Sequence, residues 1–444
     1  MMESSHRHIA FLCGHFKMSV APSSQAITNL GWEKFILPND IRNIEKRFFY
    51  PEFVDFCYAD ETDKSCIRYV KHINEELDIT LKERNIHFSI RDLTLYLMPF
   101  KMAIFSIHIE QETDDLDDCT SLLFSLRSVD YYSECHNAFV EKAIQPFMEV
   151  YQVLTGRSPI SHSELIENGN KFRIFQVINS NDAEMAALPE ADKDKLLYEL
   201  ATVSKITKPN EVDDFSASDS YLEKIINQSK ISVFRNWSGL ALMDTFTIHA
   251  FSASDRFVNN WTDSYFGMIY IHSIFQKCYL FNLNIRFRNT LASTQSVPSW
   301  KSKLQSMNIK STDVGQLVDE YESFEQQCCF HKISYNFLPL EIAEAIDKGL
   351  EIKEEMLQLY KVMEKEKTRR DEANDKMVNT LLFSLSLITL FSAIWDTSCL
   401  LDQMYPFADY LGGQTLGYRT VGLLLFLAVA FLILFIYRRK RIDK

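Results

Sequence analysis

The stretch LTLYLMPFKMAIFSIHIE, residues 93–110, indicates a sheet more directly than any other part of the sequence. Its two halves, 93–98 and 103–110, are rich in β-branched and aromatic residues, which favour strands. The tripeptide Pro-Phe-Lys at 99–101 separates the halves and is typical of a turn. The stretch therefore predicts two neighbouring strands joined by a short turn.

The sequence on either side of this hairpin extends the pattern. Three more stretches have strand composition: 8–13, 86–90 and 172–178. Helical periodicity predicts helices over 67–84, 137–154 and 184–203, with Pro189 opening the main turn of the last. Residues 232–251 predict a β-hairpin or a strand with a loop, and 262–290 a long aromatic helix. The sum is an α/β domain with helices on a sheet, followed by a mainly helical region.

Composition limits the class of protein. Of 444 residues, 46% are hydrophobic and only 23 are Gly or Pro, which is too few breakers for a disordered chain. The length allows two or three domains. The nine cysteines include no C-x-x-C pair, so we expect reduced, mostly buried thiols and no zinc site. No P-loop, zinc-protease, nucleophile-elbow or Rossmann motif is present, and we expect no enzyme activity.

The net charge of −13 bears on the partners. An acidic chain argues against polymeric nucleic acid as a partner, because phosphates and carboxylates repel each other. Near a membrane pore the same charge would concentrate cations. Solubility is the simpler explanation, and the sequence favours it.

Two uncharged stretches near the C-terminus have the length of membrane spans. Residues 377–395 (MVNTLLFSLSLITLFSAIW) and 420–437 (TVGLLLFLAVAFLILFIY) contain 19 and 18 residues without a charge, and about 20 are needed to cross a bilayer. The alternative is a pair of buried core helices. A basic tail of the kind that stops transfer through a membrane follows the second stretch: Arg438, Arg439, Lys440 and Arg441.

Basic residues predict the orientation of this hairpin. Five Lys or Arg residues lie in 362–376 and five in the tail, against Arg419 alone in the connection 396–419. The positive-inside rule then places both termini in the cytoplasm and the chain in a cytoplasmic membrane as a multi-pass protein.

A helix beginning near Leu340 carries an apolar seam. Its members follow alternating three- and four-residue steps: Ile342, Ala345, Gly349, Ile352, Met356, Leu359 and Met363. Charged helix formers continue over 364–376, so we predict one helix from 340 to 395, roughly 84 Å long at 1.5 Å per residue. A helix of this length needs neighbours to cover its seam, which predicts a homo-oligomer.

The first predicted span has a small polar face. At 100° per residue, Asn379, Ser386, Ala393 and Thr397 lie close together, with Leu382, Phe383 and Leu390 on or beside the same face. One interpretation is close helix packing through small residues. The other, which we favour, is an aqueous pore lined by the first set and gated by dewetting at the second.

The order of these features resembles the CorA family of divalent cation channels. An α/β cytosolic domain, a long helix entering the first of two C-terminal spans, a short outer loop and the basic cluster at 438–441 carry the resemblance. Similarity of residues is confined to about 325–444. The resemblance implies a pentamer whose first span lines a cation pore, with a magnesium-like divalent cation as permeant or regulatory ion.

The chain departs from this family at the outer mouth. The family's Gly-Met-Asn motif is absent, and residues 394–399 read IWDTSC. Magnesium transport is therefore not implied, and Asp396 is the residue left to favour cations there. Bacterial CorA-like proteins without the motif include a branch linked to type III CRISPR defence. That branch implies an antiviral membrane effector gated by a small nucleotide messenger bound to the cytosolic domain, in a bacterial inner membrane.

An acidic run between the sheet and the next helix leaves two interpretations open. Glu112, Asp114, Asp115, Asp117 and Asp118 suit either a regulatory metal site or, as we favour, a solvated acidic turn.

Seven segments are predicted in all. They are a cytosolic α/β domain (1–206), a helical remainder with a hairpin (207–335), a stalk helix (336–376), a pore-lining span (377–395), an outer loop (396–419), a second span (420–437) and a basic cytosolic tail (438–444). The sequence thus favours an oligomeric cation channel. The alternative is a membrane-anchored signalling or scaffold protein without a pore.

Overall fold

The structure is a computed structural model of the chain. It describes residues 5–19, 23–58, 65–81, 84–158, 161–166, 171–207, 216–295 and 315–403. Two compact units divide the chain, one formed by Met1–Tyr360 and the other by Lys361–Lys444.

A nine-stranded mixed sheet forms the centre of the first unit. Its strands are β1 His6–Lys17, β2 Glu33–Lys34, β3 Ile67–Leu81, β4 Arg84–Met98, β5 Met102–Thr113, β6 Arg173–Ser180, β7 Lys230–Ile231, β8 Trp237–Ala241 and β9 Thr245–Phe251. The spatial order is β2-β3-β4-β5-β1-β6-β9-β8-β7. Only β6 and β9 pair in parallel, and the other neighbours are antiparallel.

The hairpin predicted at 93–110 is confirmed, and it is longer than predicted. Strands β4 and β5 pair from Met98↔Met102 outward. Phe100 and Lys101 have φ angles of 57° and 59°, a left-handed turn conformation that side chains seldom adopt. The strands predicted at 8–13 and 172–178 are confirmed as β1 and β6, and the hairpin predicted within 232–251 is confirmed as β8 and β9.

Helices cover both faces of the sheet. They are α1 Ser24–Thr28, α2 Asn39–Phe48, α3 Pro51–Cys57, α4 Leu116–Leu126, α5 Asn137–Phe139, α6 Gln145–Thr155, α7 Ala183–Ala186, α8 Glu190–Thr202, α9 Asp219–Ser229, α10 Asp255–Asn260, α11 Ile271–Gln295, α12 at 315–328, α13 Phe337–Gly349 and α14 Ile352–Gln403. Two π-helical segments, Val140–Ile144 and Trp261–Tyr270, join α5 to α6 and α10 to α11. Pro189 directly precedes α8, as predicted.

The helix predicted over 67–84 is wrong, because residues 67–81 form β3. Along this strand, partly covered and exposed residues alternate, and the strand pairs with β4 along most of its length. The pattern of residues 67–81 fits the periodicity of a helix as well as that of a strand over short runs. The cross-strand hydrogen bonds available from β4 decide for the strand.

One large apolar core lies between the sheet and helices α1, α4 and α6. Fully buried rings such as Phe105, Phe147 and Trp32 meet there, with Phe105 and Phe147 centroids 4.5 Å apart. The opposite face of the sheet is covered by the segment from Trp261 through α11. Phe11 of β1 stacks on Phe266 at 3.8 Å between ring centroids.

The C-terminal part of the fold differs from the prediction. In the described part of the chain, no helix has both the length and the apolar character that crossing a bilayer demands. The two-span hairpin, the membrane-channel classification and the multi-pass inner-membrane localisation are therefore wrong. Residues 377–395 are instead one part of the 52-residue helix α14, whose earlier turns carry the charged run 364–376. The second predicted span, 420–437, lies outside the described residues.

The helix predicted to run unbroken from 340 is interrupted. Helix α13 ends at Gly349 and α14 begins at Ile352, and Glu351 between them has a φ of 55°. Gly349 is in close contact with β8, because a Cβ added to it would lie 2.7 Å from the Ala241 Cβ atom. Only a residue without a side chain fits there, so tertiary packing sets the end of α13.

Candidate ligand-binding site

An aromatic pocket lies where the edge of the sheet meets the start of the long helical segment. It is lined by Phe234, Asn236, Trp237, Phe257, Asn260, Trp261, Tyr265 and Leu338, and its volume is about 260 Å³. We call this set the aromatic pocket. Three pieces of the chain build it: the approach to β8, the segment from α10 into its π-helical continuation, and the first turn of α13.

The rings of the pocket pack edge to face. The Trp237 and Trp261 centroids are 5.2 Å apart with planes at 73°, and Trp261 and Tyr265 are 4.8 Å apart at 70°. Such offset geometries are the favourable ones for aromatic pairs. Trp237 and Trp261 are buried, whereas Phe234 is 47% exposed at the rim. The wall is therefore rigid at its base and open at one side.

Trp261 and Tyr265 of this wall lie four residues apart in a π-helical segment. Residues Trp261–Tyr270 have wider turns than an α-helix, and π-helical turns are frequent at functional sites. The preceding helix α10 is capped by Ser254, whose hydroxyl accepts a hydrogen bond from the Phe257 backbone N–H. This cap fixes the start of the helix that carries Phe257 and Asn260.

The wall also contains polar groups. Trp237 and Trp261 contribute indole N–H donors, and Asn236 and Asn260, which are exposed to solvent, contribute side-chain amides. The pocket therefore offers aromatic surface together with donors and acceptors, which suits a planar heterocycle better than a hydrocarbon.

Two arginines adjoin pocket residues in the sequence. None of the eight lining side chains is acidic, and the exposed residues Arg235 and Arg256 adjoin Phe234, Asn236 and Phe257 in sequence. Arg256 and Asn260 are four residues apart on α10 and so share one face of that helix. The neighbouring acid Asp255 is paired with Arg7 at 3.1 Å.

Apart from the aromatic pocket, a cluster of polar side chains lies on the neighbouring strands β3, β4 and β5. His72 Nδ1 contacts Asp92 Oδ1, His108 Nδ1 lies 3.7 Å from Asp92 Oδ2, and His108 Nε2 lies 3.5 Å from Glu110 Oε1. Arg91 Nε donates to Glu110 Oε2 at 3.1 Å. We call these five residues the histidine–carboxylate cluster.

Two β-bulges position this cluster. The pairing register shifts between His72 and Glu75 in β3 and between Ile90 and Leu93 in β4. Asp92 lies within the second shift and His72 at the edge of the first. A bulge redirects side chains relative to the regular alternation, which brings Asp92 between two histidines.

The histidine–carboxylate cluster shifts the acidity of its members. Burial lowers the pKa of His108, but the Asp92 and Glu110 carboxylates beside it outweigh burial and raise the pKa above its ordinary value. The pKa of Glu110 falls to about 2, chiefly because of His108. The pKa of Asp92 is lowered by both histidines against the opposing effect of burial. His108 thus lies between two carboxylates that favour its cationic form, the pattern of an ion-pair network.

Metal binding is not indicated in the described ranges, where no group of three or more His, Cys, Asp or Glu side chains has a geometry that could hold an ion. The acidic run after β5 has other roles there. Asp115 caps α4 by accepting from the Asp117 N–H at 2.9 Å, and Arg84 lies within 3.6 Å of three of the run's carboxylates.

The residues predicted to line and gate a pore lie on α14 in the second unit. Asn379, Leu382, Ser386, Leu390 and Ala393 are exposed, as is Asp396, the predicted outer-mouth residue, and Phe383 is half-buried. The Ser386 hydroxyl donates to the Leu382 carbonyl at 2.8 Å, within the helix itself. The surroundings of Thr397 and of the basic tail, Arg438 to Arg441, are outside the described part.

Comparison with protein-family models, with curated proteins and with solved structures returned no match for this chain. The resemblance to CorA channels therefore stays a prediction from the sequence.

The pocket residues were missed by sequence reasoning, which assigned 232–251 and 262–290 to secondary structure alone. The available signal was the mixture of aromatic and Asn residues at 234–237 and 257–265.

Proposed function

We propose that the protein is a non-enzymatic signalling or scaffold protein that binds a small heterocyclic ligand and acts as a homo-oligomer. The aromatic pocket is the observation that carries this proposal. Its aromatic rings, its indole and amide groups, and the arginines that adjoin its residues in sequence suit a flat base bearing an anionic group, so the ligand class we propose is a nucleotide. A cation channel is not proposed, because it depends on the membrane hairpin.

The size of the pocket supports a partly enclosed ligand. Its volume of about 260 Å³ is below the roughly 300–1,000 Å³ of pockets that enclose drug-sized ligands. A single ring system fits inside, and the sugar and phosphates would lie at the open rim beside Arg235 and Arg256. In this arrangement the base is recognised by stacking inside the pocket, and the phosphates are recognised by charge outside it.

Self-association is proposed from α14. Val378, Leu381, Leu385 and Ile388 are at least half exposed, and they follow three- and four-residue steps. Copies of a helix with such a stripe bury it by packing against each other, as in coiled coils. A second copy of this chain is therefore the partner we propose. The number of five subunits remains an expectation from the resemblance alone.

Calorimetric titration of the full chain with three probes tests the ligand proposal. ATP should bind, adenosine should bind more weakly because it lacks the anionic group, and inorganic triphosphate should bind more weakly because it lacks the base. Losing one base contact costs about 1–3 kcal/mol, roughly 5- to 150-fold in Kd. Absence of ATP binding, or equal binding of ATP and triphosphate, would contradict the proposal.

Two variants localise the binding. Asn260→Ala should weaken ATP and adenosine binding alike, whereas Arg256→Ala should weaken ATP alone, because only ATP carries phosphates. Asn259→Ala is the matched control, since Asn259 is exposed on the same helix and does not line the pocket. Equal effects of Asn259→Ala and Asn260→Ala would place the ligand elsewhere.

A further inference from the structure

Helix α2 turns its apolar face away from the protein. Ile41, Ile44 and Phe48 are 42%, 50% and 49% exposed. At 100° per residue these three side chains lie within about 60° of one another, so they form one stripe along the helix. A surface helix ordinarily places such a stripe against the core. The orientation of α2 is therefore the reverse of the usual one.

The polar side of α2 is the side that attaches it to the protein. Lys46 Nζ lies 2.7 Å from Asp55 Oδ1 of α3. The Ser264 hydroxyl donates to Glu45 Oε1 at 2.8 Å and connects α2 to the π-helical segment. These contacts hold the helix with its polar side inward, so the fold itself presents the apolar stripe to the outside.

The stripe is part of a larger apolar patch. Phe35 and Ile36 shortly precede α2 and are 40% and 64% exposed, and Tyr335 and Phe337 are 55% and 62% exposed. The Tyr335 backbone N–H donates to the Phe48 carbonyl at 3.1 Å, which places that segment beside the end of α2. We call these four side chains and the three of the stripe the α2 patch.

The area of the α2 patch is that of a protein interface. A half-exposed ring or branched side chain offers roughly 100 Å², so seven of them expose about 700 Å². The largest apolar patch on a typical monomer is only about 300–600 Å². Each partner in a stable complex of standard size buries about 800 Å². The α2 patch is therefore large enough to hold a protein partner.

The charges beside the stripe indicate that this partner is a second copy of the chain. Asp40 and Arg47 are exposed and lie about 20° apart on the same flank of α2, near its two ends. When two copies of α2 pack antiparallel about a two-fold axis, each Asp40 faces the partner's Arg47, and the two Ile44 side chains meet near the axis. The surface is thus complementary to itself in apolar area and in charge.

We propose that the α2 patches of two copies pack against each other about a two-fold axis, with α2 antiparallel to the partner's α2. The first unit forms this contact, which requires neither a ligand nor the α14 contact proposed above. Each copy covers the apolar stripe of the other, and removal of that area from water stabilises the pair. A two-fold contact gives an even number of chains, whereas the resemblance to CorA implies five.

Disulfide cross-linking of the full chain tests this contact. Ile44→Cys should give a covalent dimer under mild oxidation with copper phenanthroline, because the two introduced thiols meet near the axis. Asn43→Cys is the matched control, since Asn43 is exposed on the same helix but lies off the stripe. It should cross-link at least fivefold more slowly, and the wild type measures the background of the native cysteines. Equal rates for the two variants, or no covalent dimer, would overturn the proposal.

Charge reversal tests the antiparallel arrangement. In the Ile44→Cys chain, Asp40→Arg or Arg47→Asp alone should slow cross-linking by about tenfold, because each replaces two ion pairs by two like-charged pairs. The two reversals together should restore the rate, since each pair then has opposite charges again. Unchanged rates in the single variants, or no recovery in the double variant, would overturn this arrangement.

The α14 stripe supplies a test of independence. A chain with Leu385→Ala and Ile388→Ala in addition to Ile44→Cys should still form the covalent dimer, because the two contacts lie in different units. A cross-link that disappears with the α14 stripe would overturn a contact formed by the first unit. A cross-link that persists supports it, whatever the outcome for α14 or for ATP binding.

Discussion

Two stretches with the same apolar spacing lie in opposite environments in this protein. In the first unit, Ile342 and Leu359 are 0% and 1% exposed. In the second unit, Leu385 and Ile388 on α14 are 56% and 63% exposed. Both sets follow three- and four-residue steps. The spacing specifies that a helix has an apolar face, and it does not specify what covers that face.

The comparison corrects the interpretation of the seam at 342–363. The sequence predicted that this seam contacts other copies of the chain. In the structure Ile342, Ile352 and Leu359 of this seam are buried within the first unit. The residues left for contacts between copies are those further along α14, in the stretch that the sequence assigned to the first membrane span.

The largest expected difference between the two stretches is in stability. Ile342→Ala should lower the free energy of unfolding of the first unit by about 2–5 kcal/mol, because it leaves a cavity in a fully buried site. Ile388→Ala should change it by less than about 0.5 kcal/mol. Chemical denaturation followed by tryptophan fluorescence measures both. Equal losses would abolish the distinction between a buried and an exposed stripe.

Low pH should destabilise the first unit more than the second, because the histidine–carboxylate cluster lies in the first unit. The folded-state pKa of Glu110 is about 2, below its unfolded value near 4.3. Its contribution, roughly 3 kcal/mol, is present above the unfolded pKa and is lost as pH falls from about 4.5 to 2. In Glu110→Gln the free energy of unfolding should vary less with pH across this window, as measured by denaturation at several pH values.

His108 gives the opposite sign in the same cluster. Its folded pKa is raised, so its contribution is present below pH 6.5 and is lost as pH rises through the folded pKa. In His108→Gln the loss of stability relative to wild type should therefore be greater at pH 5.5 than at high pH. A pH-independent difference would show that His108 is not charged in the fold.

Asp347 near the end of α13 should show a smaller effect. Burial raises its pKa to about 6, against a hydrogen bond from the Ser273 hydroxyl at 2.9 Å and the charge of Lys353, with Glu344 adding to the rise. Its position in the last turn of a helix also disfavours an anion. The cost is absent below about pH 3.8, grows as pH rises from there to about 6, and is constant above that. Asp347→Asn should thus stabilise the unit by about 1–2 kcal/mol at pH 7 and by little at pH 3.5.

The smallest effect on folding should accompany a large effect on assembly. Replacing Leu385 and Ile388 by Ala should leave the denaturation midpoint of the first unit unchanged and shift the chain toward monomer in sedimentation equilibrium. Asn379→Ala, about 120° around α14 from Leu385, is the control and should keep the oligomer. Loss of assembly in the control alone would place the contact on the polar face of the helix.

Local sequence predicted much of the sheet and less of the site. Strands β1, β5 and β6 were recognised because β-branched and aromatic residues fill them on both faces. Residues 67–81 were not, since their polar, alternating composition also fits a helix and only pairing with β4 decides between the two. The aromatic pocket was missed for a related reason. Phe234, Trp261 and Leu338 are far apart in sequence, and no local pattern shows that they meet.

The sequence by itself determined the hairpin at 93–110, the helices at 137–154 and after Pro189, and the apolar spacing of the C-terminal helices. Each depends on residues within one or two turns of each other, where propensity and periodicity act. Tertiary structure alone decided the end of α13 at Gly349, the burial of Ile342, the assembly of the pocket and the pKa of Glu110. These depend on partners such as Ala241 and His108 that the fold supplies from distant sequence. Burial and charge act through space, and sequence order does not record those distances.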